Sequence, residues 1–109
     1  MKIQFEWIIA LLIVSLLILG ASGCQKTQEQ QKIIIKDFSF NPPELTVSAG
    51  TNITWVNNDQ VTHDITIDNG LFDHDLNPSE SFSFEFNEPG EYTYHCDIHP
   101  SMKGKVIVK

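Results

Sequence analysis

Four side chains in this 109-residue chain could hold one soft metal ion. The stretch Tyr94-His-Cys-Asp-Ile-His-Pro-Ser-Met102 sets Cys96, His99 and Met102 three residues apart, in a loop that begins where a strand pattern ends. A turn of that length, stiffened by Pro100, can bring a thiolate, an imidazole and a thioether to one point. A further nitrogen donor is needed, and His63 lies near the start of a neighbouring strand pattern. Two imidazoles, one thiolate and a weak thioether form the donor set of a mononuclear copper site that exchanges electrons. The soft sulfurs suit Cu(I), while the imidazoles serve both oxidation states. One fixed cage can then hold either state with little rearrangement.

Taken singly, each donor has a plainer role: a buried cysteine as a small hydrophobe, a methionine as core filling, a strand-end histidine bonded to backbone. It is their order and spacing together that point to a metal. Zinc would accept one cysteine and two histidines, but it has no need of a thioether. A nucleophilic Cys96 with His95 or His99 as base lacks a visible orienting partner and leaves Met102 unexplained. A dinuclear copper centre would need two cysteines, and only Cys96 is available. His95 has strand parity opposite to Cys96 and should point away from the ion. His74, within Asp73-His-Asp75, reads as a solvated residue of an acidic loop.

The elements that must position these donors are strands. After residue 31 no helix-period segment of useful length occurs, and short β-rich runs alternate with turn residues, the pattern of a sandwich or barrel. A first run from Lys32 to Phe40 is closed by Asn41-Pro42-Pro43. A second, from Glu44 to Ser48, leads through Ala49-Gly50-Thr51 into the run ending at Asn57. The run from Thr62 to Asp68 ends at Asn69-Gly70. The next alternates, with Phe82, Phe84 and Phe86 on one face and Ser83 and Glu85 on the other. Pro89-Gly90 turns into the strand that delivers Cys96, with Tyr92 two residues beyond Gly90 as in a tyrosine corner. Residues 104–108 close the domain. The expected fold is an all-β, Greek-key β-sandwich of about seven to eight strands.

The motifs also follow the order of one family. Phe40-x-Pro42-x-Glu44-x-Thr46-Val47-x-x-Gly50-Thr51-x-Ile53-Thr54-Trp55-Val56-Asn57, then His63, then Pro89-Gly90-x-Tyr92-Thr93-Tyr94-His95-Cys96-x-x-His99-Pro100-x-Met102-x-Gly104-x-Val106, resembles the plastocyanin and amicyanin branch of the cupredoxins. The short Cys-x-x-His-x-x-Met loop is most similar to that of amicyanin. This resemblance implies one type-1 (blue) copper ion, with His63, Cys96 and His99 as equatorial ligands and Met102 as the axial one. It implies electron passage through the ring edge of His99. The family usually has asparagine directly after the first ligand histidine, and this chain has Asp64; Asp97 follows the cysteine. If both occupy the family positions, two carboxylates approach each other near the copper. Like charges at close range raise one pKa, so the potential of the site is expected to depend on pH.

The first quarter of the chain is unlike the rest. Ile8 to Leu19 is apolar apart from Ser15, and Gly20-Ala21-Ser22-Gly23 precedes Cys24. A run of this kind reads as an export signal, short for a bilayer span of about 20 residues. Residues 1–23 resemble a lipoprotein-type signal, with Cys24 as the lipidated residue; an uncleaved helical anchor and simple secretion remain open. Residues 24–31 form a polar tether, and residues 32–109 the folded domain. All three readings place that domain outside the cytoplasm, on the periplasmic or outer side of the membrane. With Cys24 committed to lipid, no disulfide is available, and a metal is the remaining staple for so small a domain. The net charge of −7, with no arginine, argues against nucleic acid. It favours basic redox partners and association that weakens as salt rises. The chain is expected to act as a monomeric electron carrier, with a copper delivery or storage module on the same ligands as the alternative.

Overall fold

The computed structural model describes residues 30–109. The apolar segment, Cys24 and the tether up to residue 29 lie outside the described residues. Nine strands run in chain order: β1 (Gln30–Lys36), β2 (Ser39–Asn41), β3 (Glu44–Val47), β4 (Thr51–Asn57), β5 (His63–Ile67), β6 (Asp73–Leu76), β7 (Ser81–Phe86), β8 (Gly90–His95) and β9 (Lys103–Val108). One sheet has the order β2-β1-β4-β7 and the other β3-β9-β8-β5-β6. No helix occurs among the described residues. The all-β sandwich read from the sequence is the observed fold, with three differences in its strands.

The first run divides in two because Asp37 and Phe38 both take positive φ, 52° and 56°, and reverse the chain. β1 and β2 then pair antiparallel through Ile34–Asn41, Ile35–Phe40 and Lys36–Ser39. The second difference is β6, a strand where the acidic sequence Asp73-His-Asp75 predicts a loop. Its Asp73 to Leu76 pair antiparallel with β5 along that strand's open edge. There His74 remains exposed, as expected, and its ring stacks on Phe82 at a centroid separation of 4.1 Å. β1 also begins within the polar run, where Gln30 and Gln31 pair with Asn52 and Ile53 of β4.

Alternation decides what enters the core. Ile33 and Ile35 of β1, Ile53 and Trp55 of β4, and Ile65 and Ile67 of β5 are all buried between the sheets. Trp55 is fully buried, with its ring against Phe72, Phe82, Phe86 and Tyr94. Tyr92 donates its hydroxyl to the carbonyl of Glu88 at 2.7 Å, closing the tyrosine corner. The result is a rigid frame whose β5 start and β8 end open at the same end of the sandwich.

Candidate metal centre

His63 is the first residue of β5, and Cys96 follows the last residue of β8. The loop from Cys96 to Met102 is closed by its own backbone. The N–H of Cys96 donates to the Met102 carbonyl at 3.1 Å, and that of Met102 donates to the His99 carbonyl at 2.9 Å. His63, Cys96 and Met102 are buried, while His99 is half-buried at the surface end. His63 Nδ1 and His99 Nδ1 lie 3.1 Å apart, and each is 3.8 Å from Cys96 Sγ. The structure therefore brings His63, Cys96 and His99 to one point. Met102 is held in the same closed loop by its backbone.

The ring of His63 has a fixed direction. Its Nε2 lies 2.9 Å from Asp59 Oδ2, so that nitrogen donates and Nδ1 presents a lone pair toward Cys96 and His99. Burial works against charge on Asp59, but hydrogen bonds from the Phe38 N–H, His63 and the Asp37 N–H outweigh it and hold the carboxyl below its ordinary range. Cys96 is the reverse case. Burial pushes its thiol up, against hydrogen bonds from the surrounding backbone. One of these is the Asp64 N–H, which donates to Sγ at 3.3 Å. A metal cation supplies the opposite charge that a buried thiolate needs.

The donor spacing can be tested against an ion. With metal–nitrogen distances of about 2.0 Å and metal–sulfur of about 2.3 Å, the spacings of 3.1 and 3.8 Å subtend angles of about 100° and about 120°. Donors spaced in this way would suit an ion held by the trigonal His₂Cys set of blue copper sites. The residues fit that group.

Asp64 and Asp97 lie beside this centre. Asp64 Oδ1 accepts the N–H of Asp97 at 2.6 Å, tying the start of β5 to the loop after β8. The carboxylates of Asp64, Asp73 and Asp97 come within 4.8 Å of one another. The two carboxylates do approach, as the sequence suggested, but each has a donor of its own. Asp97 Oδ1 lies 2.6 Å from His95 Nε2, and Asp68 Oδ1 lies 2.6 Å from His95 Nδ1. His95 thus points away from the donor set, and these two carboxylates, Asp97 first, raise its pKa above the ordinary histidine value.

A family model, "Cupredoxin-like domain", matches residues 8–108. The chain belongs to this cupredoxin family. It is 33% identical to an amicyanin of Paracoccus versutus over 81 residues, covering 69% of this chain and 61% of that one. It is 38% identical to a chloroplastic plastocyanin of Tetradesmus obliquus over 84 residues, covering 64% and 58%. The chain thus spans about three fifths of the length of each of these two relatives. Among solved structures, a purple cupredoxin from Nitrosopumilus maritimus superposes with a TM-score of 0.67 at 34% identity, over 72% of this chain and 99% of that chain. The cofactor of this cupredoxin is one type-1 copper ion.

Three residues around the centre were not found by reading the sequence. Asp59 lies four residues before His63, in what reads as an ordinary polar loop. Asn57 is fully buried and spans that loop from inside. Phe38, exposed at 51%, sets its ring edge-on to those of His63 and His99, at 5.3 and 4.9 Å. Motif spacing carries no signal for Phe38, and for Asn57 it marks a strand end without showing its role, because both act through loop geometry. An acid four residues ahead of a ligand histidine is the one cue available.

Proposed function

We propose that this cupredoxin carries single electrons between redox proteins, with His63, Cys96 and His99 as equatorial copper ligands and Met102 as the axial one. The observation that carries the reading is the convergence of His63 Nδ1, His99 Nδ1 and Cys96 Sγ at trigonal spacing. Copper bound there supplies a one-electron couple. The chain supplies the cage: Asp59 fixes the His63 tautomer, the Asp64 N–H faces the sulfur, and the closed loop fixes His99. The domain has no substrate chemistry of its own. His99 is the only one of the four donors that is not buried, so electrons enter and leave at its ring edge. The similarity to amicyanin and plastocyanin supports the same reading.

The location and partners follow from charge and sequence. The domain sits on the extracytoplasmic side of the membrane, tethered through Cys24 by lipid, and meets partners with basic docking surfaces. The apolar run ahead of Cys24 supports the location, and the net charge of −7 with the exposed acidic group of Asp68, Asp73 and Asp97 supports basic partners. The deciding experiment is a visible absorption spectrum of the copper-loaded chain together with its electron self-exchange rate. An intense thiolate-to-copper band with fast self-exchange is expected. A band with sluggish exchange and rapid copper release would instead mark a delivery module.

A further inference from the structure

Asp59 belongs to no donor set, yet three donors converge on its carboxylate. Oδ1 accepts the N–H of Asp37 at 2.8 Å, and Oδ2 accepts the N–H of Phe38 at 2.9 Å and Nε2–H of His63 at 2.9 Å. Asp59 is itself held, because its own N–H donates to Oδ1 of the fully buried Asn57 at 3.0 Å. The carboxylate is therefore a fixed point on which its partners depend. Inward, it orients the His63 ring and draws on its Nε2 proton, which makes Nδ1 a stronger donor to any ion bound there. Outward, it holds Asp37 and Phe38 at φ values of 52° and 56°. Left-handed φ is unfavourable for a residue that carries a Cβ, and the two hydrogen bonds offset that cost. Phe38 is thereby kept edge-on to both imidazoles.

We propose that Asp59 is a positioning residue: through one carboxylate it strengthens His63 as a donor, biasing bound copper toward Cu(II), and fixes Phe38 as the rim over both imidazoles. This rests on the ligand reading above. A stronger anionic acceptor behind a ligand stabilises the more highly charged ion, so removing its charge should favour Cu(I). A purely structural Asp59 would affect stability without touching that balance.

The test is a redox titration of the full chain in mild detergent, followed by visible absorption, for the unaltered protein, Asp59→Asn and Phe38→Ala. Asp59→Asn should keep the thiolate-to-copper band and move the Cu(II)/Cu(I) ratio at fixed ambient potential about tenfold toward Cu(I), equivalent to about 59 mV for a one-electron couple. Phe38→Ala should shift the ratio clearly less than Asp59→Asn does. An unshifted ratio in Asp59→Asn, or an equal shift in Phe38→Ala, overturns the proposal and leaves the ligand reading intact. Absence of the band in the unaltered protein overturns both. If Asp59→Asn does not fold, proton–nitrogen NMR of the unaltered Cu(I) form decides. A slowly exchanging ring proton on His63 Nε2 supports the role, and a proton in fast exchange refutes it.

Discussion

Replacing Asn57 by alanine should loosen the loop that delivers His63. The side chain is fully buried at the end of β4. Its Nδ2 donates to the carbonyls of Val61 and Leu76, each at 2.9 Å, and its Oδ1 accepts the N–H of Asp59 at 3.0 Å. Truncation removes all three bonds and leaves three backbone groups without them. At about 1 kcal/mol net for each neutral hydrogen bond, the loss is about 3 kcal/mol. That is a large part of the roughly 5–15 kcal/mol that holds a small domain. With a urea dependence of about 1–3 kcal/mol per molar, the unfolding midpoint should fall by about 1–3 M. Because Val61 and Asp59 belong to the segment leading into His63, the metal-bound state should suffer too. Copper should then stabilise Asn57→Ala less than it stabilises the unaltered chain. Urea unfolding of both proteins, with and without copper, measures both quantities. A loss under about 1 kcal/mol with equal stabilisation by copper would show that the loop does not depend on Asn57.

Three further changes test other parts of the site. Cys96→Ser should abolish the intense thiolate-to-copper absorption, since the proposed site relies on this thiolate as its soft donor; a retained band would remove Cys96 from the ligand set. Met102→Leu should move the midpoint potential while costing less than about 1.5 kcal/mol of stability, measured by redox titration beside urea unfolding. Gly104→Ala should cost about 1–3 kcal/mol through overpacking. A Cβ there would come within 2.6 Å of Tyr94 Cε2 and closer to the ring's Cζ and hydroxyl, and that ring is buried against Phe40 and Trp55. A variant as stable as the unaltered chain would mean that the Tyr94 ring can give way.

What the sequence made legible was whatever has a period or a spacing. The alternation of Phe82, Phe84 and Phe86 gave β7 its face, and the Cys96-to-Met102 spacing gave the loop. The order of motifs placed His63 against both. What it hid was set by sheet edges and by turns. β6 has an exposed, acidic sequence from Asp73 to Asp75, which no propensity would make a strand. It is one because the edge of β5 offers backbone partners. Phe38 is not a turn residue by type, and a lone Asp37 is a weak turn signal; their reversal is held by a carboxylate 22 and 21 residues away. The role of Asp59 is invisible for the same reason. It exists only once β1, the loop after β4 and the start of β5 have come together.

The short ligand loop makes the site depend on the whole sandwich. The pairs Tyr94–Gly104 and His95–Lys103 continue the β8–β9 ladder up to the loop, and two internal hydrogen bonds consume most of the loop's remaining freedom. On the other side, His63 enters from a segment pinned by Asn57 and Asp59. The Asp64 N–H to Cys96 Sγ and the Asp97 N–H to Asp64 Oδ1 then lock the two sides together. Neither side can shift without moving close-packed strands, and packed interiors resist such movement. A cage built in this way is set by the fold before an ion arrives. It therefore has little room to reshape when the charge of that ion changes, which is the condition a fast one-electron carrier requires.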